Sequence, residues 1–405
     1  MIRPGTSGAA PHNPLTLLFP ALMNNPRILV VSVSTGTGHV RAAEAVCAAL
    51  ARRHPGVYVR HVDLLELAPQ WVRAFYGKAF EKVAAHAPSL WKEIYHATDG
   101  DEHDRARWAA AGRFVFRAFR RVLDGERWDA CLATHFLPCQ LASGGGEFPP
   151  LSLVVTDFTL HRVWVQPCAS RYFVATDELA AELGRRVPGV PALATGIPIS
   201  PDVASAGSRD EARAALGLPA DRRMALIVGG GLGIGVEEAA RAALEATPGD
   251  VQLVAVCGRN DSARERLQAL GLPAERLQVH GYVQGLTTWM SAADLVATKP
   301  GGLSLSEGLA LGCALLLTRP IPGAEEGNAR VAEANGAALV ANTTGEIRAA
   351  FARAFSEPGL LQRLADGARG MGRPHAADHV ADALVASVAR PPEVGVNAQA
   401  AGARA

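Results

Sequence analysis

The stretch Asp294-Leu295-Val296-Ala297-Thr298-Lys299-Pro300-Gly301-Gly302-Leu303-Ser304-Leu305-Ser306-Glu307 decides the fold of this chain. Its apolar start reads as a buried strand. Gly301 and Gly302 then let backbone N–H groups approach a ligand, and a helix is expected to open at Ser304 with its positive end on that spot. Such a junction is an anion site. One turn on, Glu307 is placed to accept hydrogen bonds from a ribose diol, as acidic residues do beyond dinucleotide turns. A second loop, Pro320-Ile321-Pro322-Gly323-Ala324-Glu325-Glu326-Gly327-Asn328, offers Glu325 and Asn328 to further hydroxyls. Together these groups point to a nucleotide-sugar.

Outward from this junction, short Val/Leu/Ile runs alternate with Ala/Arg/Glu-rich helical stretches. Strands are expected near Ile28–Val33, Val57–Val62, Ala130–Thr134, Leu151–Thr156 and Tyr172–Ala175. A second series is expected near Ala225–Val228, Gln252–Val256, Leu277–His280, Leu295–Thr298, Ala314–Leu317 and Ala337–Val340. Apolar runs bounded by turns and separated by helices predict parallel sheets, an α/β fold. The Pro-rich Gly196-Ile197-Pro198-Ile199-Ser200-Pro201 separates the two series, and Ser208-Arg209-Asp210-Glu211 reads as a capping box. The expected organisation is a disordered tail over 1–24, a first domain over 25–198, a linker over 199–208 and a second domain over 209–373. A helix over 374–390 is expected to pack back on the first domain, before a tail over 391–405.

With 405 residues, 49% of them hydrophobic, the chain has material for two cores. A formal net charge of +1 gives no global field to recruit nucleic acid. The six cysteines form no C-x-x-C pair and no disulfide-like framework, which fits a reducing cytosol and no structural zinc. Leu15 to Met23 is interrupted by Pro20 and too short to cross a bilayer.

Two glycine-rich turns stand out. Val33-Ser34-Thr35-Gly36-Thr37-Gly38-His39 follows the first strand and lacks the third glycine of a dinucleotide fingerprint, so it is either a structural turn or a ligand turn. His39 there either caps the helix start or moves a proton near neutral pH. Val228-Gly229-Gly230-Gly231-Leu232-Gly233-Ile234-Gly235 lacks the Gly-Lys-Ser/Thr ending of an ATPase loop, yet its backbone can cradle phosphates.

The ordered set Gly36-Thr37-Gly38-His39, Thr156-Asp157-Phe158-Thr159-Leu160-His161-Arg162-Val163-Trp164, Gly196-Ile197-Pro198-Ile199, Cys257-Gly258-Arg259-Asn260, Gly281-Tyr282-Val283, Thr298-Lys299-Pro300-Gly301-Gly302 and Pro322-Gly323-x-Glu325-x-x-Asn328 closely resembles the monogalactosyldiacylglycerol synthases and processive diacylglycerol glucosyltransferases, within the MurG-like family 28 of glycosyltransferases. The resemblance spans about Arg27 to His379. It implies the two-domain GT-B fold, with Rossmann-like sheets facing a cleft, and inverting hexosyl transfer without a catalytic metal or other cofactor. It also implies a UDP-sugar donor on the second domain and a diacylglycerol acceptor on the first. The product would be a β-glycosyl diacylglycerol, made by an enzyme at the cytoplasmic face of the membrane. The family's donor loop reads Pro-Gly-Gln-Glu, and Ala324 stands in the glutamine place here, which leaves UDP-glucose and UDP-galactose both open.

The expected donor site comprises Gly229, Gly230, Gly231, Gly233, Arg259, Asn260, Tyr282, Val283, Lys299, Gly301, Gly302, Ser304, Glu307, Glu325 and Asn328. Tyr282 and Val283 would flank the uracil unless Tyr282 is plain core. His39 is the first candidate for the base or its orienting partner, followed by Asp157 and His161, with His135 third. Asp157 alternatively caps a turn, and His161 alternatively packs beside Trp164. Leu64 to Arg127 interleaves aromatic and basic residues, which suits an anionic membrane surface or, equally, a helix with a solvated basic face. No RNA- or DNA-binding motif accompanies it. Competing readings are N-acetylglucosamine transfer to a lipid-linked cell-wall precursor, a nucleotide-sugar epimerase and a non-catalytic UDP-sugar sensor.

Overall fold

The computed structural model describes residues 25–73, 116–143 and 148–389. Most of the aromatic and basic stretch between Leu64 and Arg127, including Arg113, lies outside the described residues, as do both expected tails.

Two six-stranded parallel sheets carry the molecule. In the first, β1 (Arg27–Ser32), β2 (Tyr58–Asp63), β3 (Ala130–Ala133), β4 (Leu151–Val154), β5 (Arg171–Phe173) and β6 (Ala192–Leu193) lie in the order β2-β1-β3-β4-β5-β6. In the second, β7 (Met224–Val228), β8 (Gln252–Val256), β9 (Leu277–His280), β10 (Leu295–Thr298), β11 (Leu315–Thr318) and β12 (Ala338–Ala341) lie in the order β12-β11-β10-β7-β8-β9. The two-residue β6 carries no apolar run and went unread in the sequence. Central strands β3, β4, β7, β8 and β10 are buried along their whole length, as sheets covered by helices on both faces require.

The strand orders fix where ligands can be met. The chain reverses direction across the first sheet between β1 and β3, and across the second between β7 and β10. Open parallel sheets bind ligands beyond the carboxyl ends of strands at such switch points, where the following connections splay apart. The turn carrying His39 follows β1 and His135 follows β3. The glycine loop from Gly229 follows β7, and Lys299 to Gly302 follows β10.

The helix Gly38–Arg53 buries Ala42, Ala43, Ala45, Val46, Ala49 and Leu50, a stripe of mostly small side chains that lets it sit close on the first sheet. Beside it lies the helix Ala376–Ala389, which follows the second sheet in sequence but packs on the first. Its Ala377, Val380, Ala381 and Leu384 share one core with Ile28, Val30, Val46 and Phe173. At the edge of that contact Asp382 pairs with Arg53 at 2.6 Å and with His54 at 2.8 Å, and Asp378 pairs with Arg52.

The chain passes between the two sheets twice, and the two passages touch. Gly196 has φ +86°, and a Cβ there would lie 2.5 Å from the Cβ of Arg373, so only glycine fits. The capping box at Ser208 and Glu211 is present and starts the helix Arg209–Leu216. The helix after β10 opens at Gly302, with Gly301 as its cap, two residues before the expected Ser304. Glycine's cost in a helix is offset here by a tertiary contact described below. Among the described residues, no helix is long and apolar enough to cross a membrane.

Candidate active site

On the first sheet, three main-chain ends converge around one imidazole. His39 Nδ1 lies 2.8 Å from the Thr134 carbonyl oxygen and 3.1 Å from Thr156 Oγ1. A carbonyl can only accept, so Nδ1 carries the proton and Nε2 carries the lone pair. Thr134 Oγ1 donates back to the His39 carbonyl at 2.8 Å, which locks β3 to the start of the helix. The His135 ring packs edge-on against His39 with centroids 4.7 Å apart, and the Trp164 ring lies 6.1 Å away. This burial pushes the His39 pKa down to about 4 against the opposing hydrogen bond to Thr134, so the ring is neutral at pH 7.

The other two histidines carry the opposite tautomer. His135 is buried, and its Nδ1 accepts from the Leu137 N–H at 3.1 Å. Burial, reinforced by His39, holds its pKa well below the ordinary histidine value. His161 caps the short turn Arg162–Trp164, its Nδ1 accepting from the Val163 N–H at 3.3 Å. In neutral form both present a proton at Nε2, so of the three candidate histidines only His39 offers a basic Nε2.

Asp157 follows β4. Its Oδ1 accepts from Asn328 Nδ2 at 3.2 Å, across the cleft between the two sheets. Burial raises its pKa to about 6; the Asn328 hydrogen bond opposes the shift, Glu325 adds to it and the Trp164 side chain opposes it. Asp157 therefore bonds to the opposite domain and does more than cap a local turn.

On the second sheet, the glycine loop is held by its neighbour. Arg259 N–H donates to the Gly231 carbonyl at 3.0 Å, and Asn260 Nδ2 donates to the Gly233 carbonyl at 3.2 Å while its Oδ1 caps the next helix through the Ala263 N–H. Asn260 thus shapes the loop that Gly229, Gly230, Gly231 and Gly233 form, and its amide is committed to protein groups. The Arg259 side chain is exposed. Tyr282 is 70% exposed and Val283 half-buried, which rules out plain core for Tyr282. Lys299 Nζ lies 3.5 Å from Glu325 Oε2, the same oxygen that accepts from the Ile321 N–H at 2.8 Å and ties the second loop.

The two lips meet at the start of the helix Gly302–Ala310. A Cβ on Gly302 would lie 1.9 Å from the Thr156 carbonyl oxygen, so this glycine serves the contact between domains; of the two glycines at this junction, Gly301 is the one with open space around it. Ser304 is half-buried one turn on. Glu307, 2% exposed, pairs with Arg41 from the first domain; burial raises its pKa and the guanidinium opposes that rise. Asn328 is wholly buried: its Oδ1 accepts from the Phe158 N–H at 2.7 Å, and its Nδ2 donates to the Pro300 carbonyl as well as to Asp157. Both residues were expected to face donor hydroxyls, and in this conformation both are taken up by protein groups across the cleft. The reason is that the lips are in contact at this point.

Sequence reasoning missed Arg41, Thr134 and Thr156 as parts of this site. Arg41 sits two residues after His39 on a helix, where an arginine looks like surface, and only the opposing domain gives it a partner.

The sequence and the fold have counterparts among known proteins. Residues 39–199 match the family model described as monogalactosyldiacylglycerol (MGDG) synthase. Over that stretch the chain is similar to the family. The synthase match begins at His39 and includes His135, Asp157 and His161. A processive diacylglycerol beta-glucosyltransferase of Bacillus cereus (strain AH187) is 28% identical over 377 residues, covering 90% of this chain and 95% of the relative. That likeness runs through both domains. Acinetobacter baumannii MurG superposes with a TM-score of 0.54 at 17% identity, over 90% of this chain and 100% of that one. Staphylococcus aureus MnaA in its UDP co-structure gives a TM-score of 0.62 at 13% identity, over 90% of this chain and 97% of that one. These two likenesses establish the GT-B fold of the chain.

Proposed function

We propose that this chain is an inverting glycosyltransferase that moves glucose or galactose from its UDP-sugar to 1,2-diacylglycerol at the cytoplasmic face of a membrane. The observation that carries the chemistry is the tautomer of His39. The Thr134 carbonyl holds the proton on Nδ1, which leaves Nε2 as a neutral acceptor at the switch point of the first sheet. The acceptor hydroxyl gives its proton to Nε2 as its oxygen attacks the anomeric carbon, and the bond from that carbon to the UDP oxygen breaks on the opposite face. The Asp157 carboxylate, mostly ionised at pH 7, favours the imidazolium that forms.

The departing diphosphate gains charge. The N–H groups at Gly301 and at the start of the helix Gly302–Ala310, the glycine loop after β7, Lys299 and Arg259 are the groups on the second domain that would offset it. Glu307 takes the ribose diol in exchange for the Arg41 guanidinium, and Glu325 and Asn328 face the sugar once the lips part. Tyr282, exposed at the carboxyl end of β9, lies against the uracil together with Val283. The chain itself supplies every group used in this scheme, with no metal or other cofactor. The family match and the B. cereus relative support diacylglycerol as acceptor. Exposed Trp71, at the edge of the described residues, would enter the anionic headgroup region with the basic and aromatic stretch that follows it.

The test is incubation of purified protein with diacylglycerol in anionic vesicles and, separately, UDP-glucose, UDP-galactose and UDP-N-acetylglucosamine. Lipid products are read by mass spectrometry and their anomeric configuration by NMR. A β-hexosyl diacylglycerol is expected. Transfer of N-acetylglucosamine alone, an α-linked product, or no lipid product with any donor would overturn the proposal.

A further inference from the structure

Behind the His39 wall, two of the six cysteines face one another. Cys139 lies on the short helix Leu137–Ala142 that follows His135, and Cys168 follows the Trp164 turn by four residues. Cys139 is fully buried and Cys168 half-buried. The Cys168 thiol donates to the Cys139 carbonyl at 3.1 Å, the Ser143 hydroxyl donates to Cys168 Sγ at 3.2 Å, and the two cysteine side chains are neighbours. Nothing in the proposed transfer chemistry uses either sulfur.

The neighbours split the pair's acidity. Contact with Cys139 brings the Cys168 thiol down to about 6; burial opposes this and the Ser143 hydroxyl adds to it. The same contact, with burial, pushes Cys139 well above the usual thiol range. Burial pushes Cys47 and Cys313 up to about 12 and raises Cys131 and Cys257 as well, so Cys168 is the one thiol of the six that is lowered. A half-exposed thiol beside a second, buried thiol is the arrangement of a reacting and a resolving cysteine.

We propose that Cys168 and Cys139 form an oxidisable thiol pair, in which Cys168 reacts with a peroxide and Cys139 resolves the product to an intramolecular disulfide. The Cys168 thiolate attacks one peroxide oxygen, the O–O bond breaks, and the leaving hydroxide takes a proton to become water. The Cys139 sulfur then attacks the sulfenic acid, the S–S bond forms, the S–O bond breaks, and the hydroxide leaves with the Cys139 proton as a second water. Two thiols are oxidised by two electrons and one peroxide is reduced to two waters. The bond would tether the segment behind Trp164 to the helix behind His135. In a reducing compartment such a bond is transient, as sensing disulfides are.

The full-length chain is treated briefly with hydrogen peroxide, and its intact mass and thiol-blocked peptides are measured. The expected result is a loss of about 2 Da that dithiothreitol reverses, mapped to Cys139 and Cys168. Cys139→Ser should instead trap a sulfenic acid on Cys168 that dimedone labels, and Cys168→Ser should show neither product. Independently, iodoacetamide at neutral pH should label Cys168 of the untreated chain before the other five. A disulfide between other cysteines, oxygen addition to the wild-type chain without the mass loss, or faster labelling elsewhere would overturn the pair.

Discussion

The lips of the cleft are built in opposite ways. On the first sheet the working groups are side chains held by main chain: His39 is oriented by the Thr134 carbonyl, and His135 and His161 each receive a backbone N–H. On the second sheet the working groups are largely main chain held by side chains: Asn260 pins the glycine loop, Glu325 ties the Pro320–Asn328 loop, and Asn328 bonds to the Pro300 carbonyl. Under the proposed transfer, the lip that moves a proton needs one atom of defined tautomer, which a rigid carbonyl supplies. A lip that receives a diphosphate needs several donors at close approach, which bare backbone supplies.

The comparison is broken most directly at His39. His39→Ala should lower turnover about a hundredfold or more while leaving UDP affinity unchanged, as single-turnover kinetics and calorimetry would show. Near-normal turnover would mean that the first lip does not work through that side chain. Next in size is Gly302→Ala, whose methyl would meet the Thr156 carbonyl; a stability loss of about 1–3 kcal/mol is expected in urea unfolding, with a wider cleft in small-angle scattering. An unchanged unfolding midpoint would show that the lips do not rest on each other.

A pH profile sharpens the roles of the two titrating groups on the first lip. If kcat/KM depends on the Asp157 carboxylate, its acid limb should fall near pH 6, whereas dependence on neutral His39 alone places that limb near pH 4. Stability should move in opposite senses through the two groups. Asp157, raised in the fold, contributes most below its unfolded pKa and loses that contribution as pH rises through about 6. His39, lowered in the fold, contributes above its unfolded pKa and loses that contribution as pH falls toward 4. Thermal melts of Asp157→Asn and His39→Gln across pH 4 to 8 would separate the two.

The smallest effect is expected where the last helix meets the first. Asp382 is held below the usual carboxylate range chiefly by its hydrogen bond from Arg53, so its contribution is present above its unfolded pKa and lost as pH falls. Because the pair is well exposed, Asp382→Asn should lower Tm by only about 1 °C at neutral pH, with salt reducing the difference, in scanning calorimetry.

The sequence made the sheets legible because buried parallel strands are uninterrupted apolar runs; β7 to β12 were placed within a residue or two by that signal alone. The two-residue β6 has no such run. Strand-end positions were also readable, His39 from the glycine turn after β1 and Asp157 from the family-like motif Thr156 to Trp164. What the sequence did not show was pairing across the cleft. Nothing local distinguishes Arg41 from other helix-surface arginines, or tells that Glu307 and Asn328 spend their hydrogen bonds on the opposite domain. The same limit explains Gly302, which reads as a phosphate glycine and is required by a carbonyl 146 positions earlier in the chain.

The contact of Gly196 with Arg373 has a mechanical consequence. Both covalent passages between the domains run through nearly the same point, so that point can act as a fulcrum. A small rotation there leaves the passages almost in place, while points farther along the cleft travel in proportion to their distance from it. The Arg41–Glu307 pair can therefore separate without either passage being stretched. A bulkier residue at Gly196 would act at the fulcrum itself, changing the resting angle of the whole lever and leaving every atom of the chemistry intact.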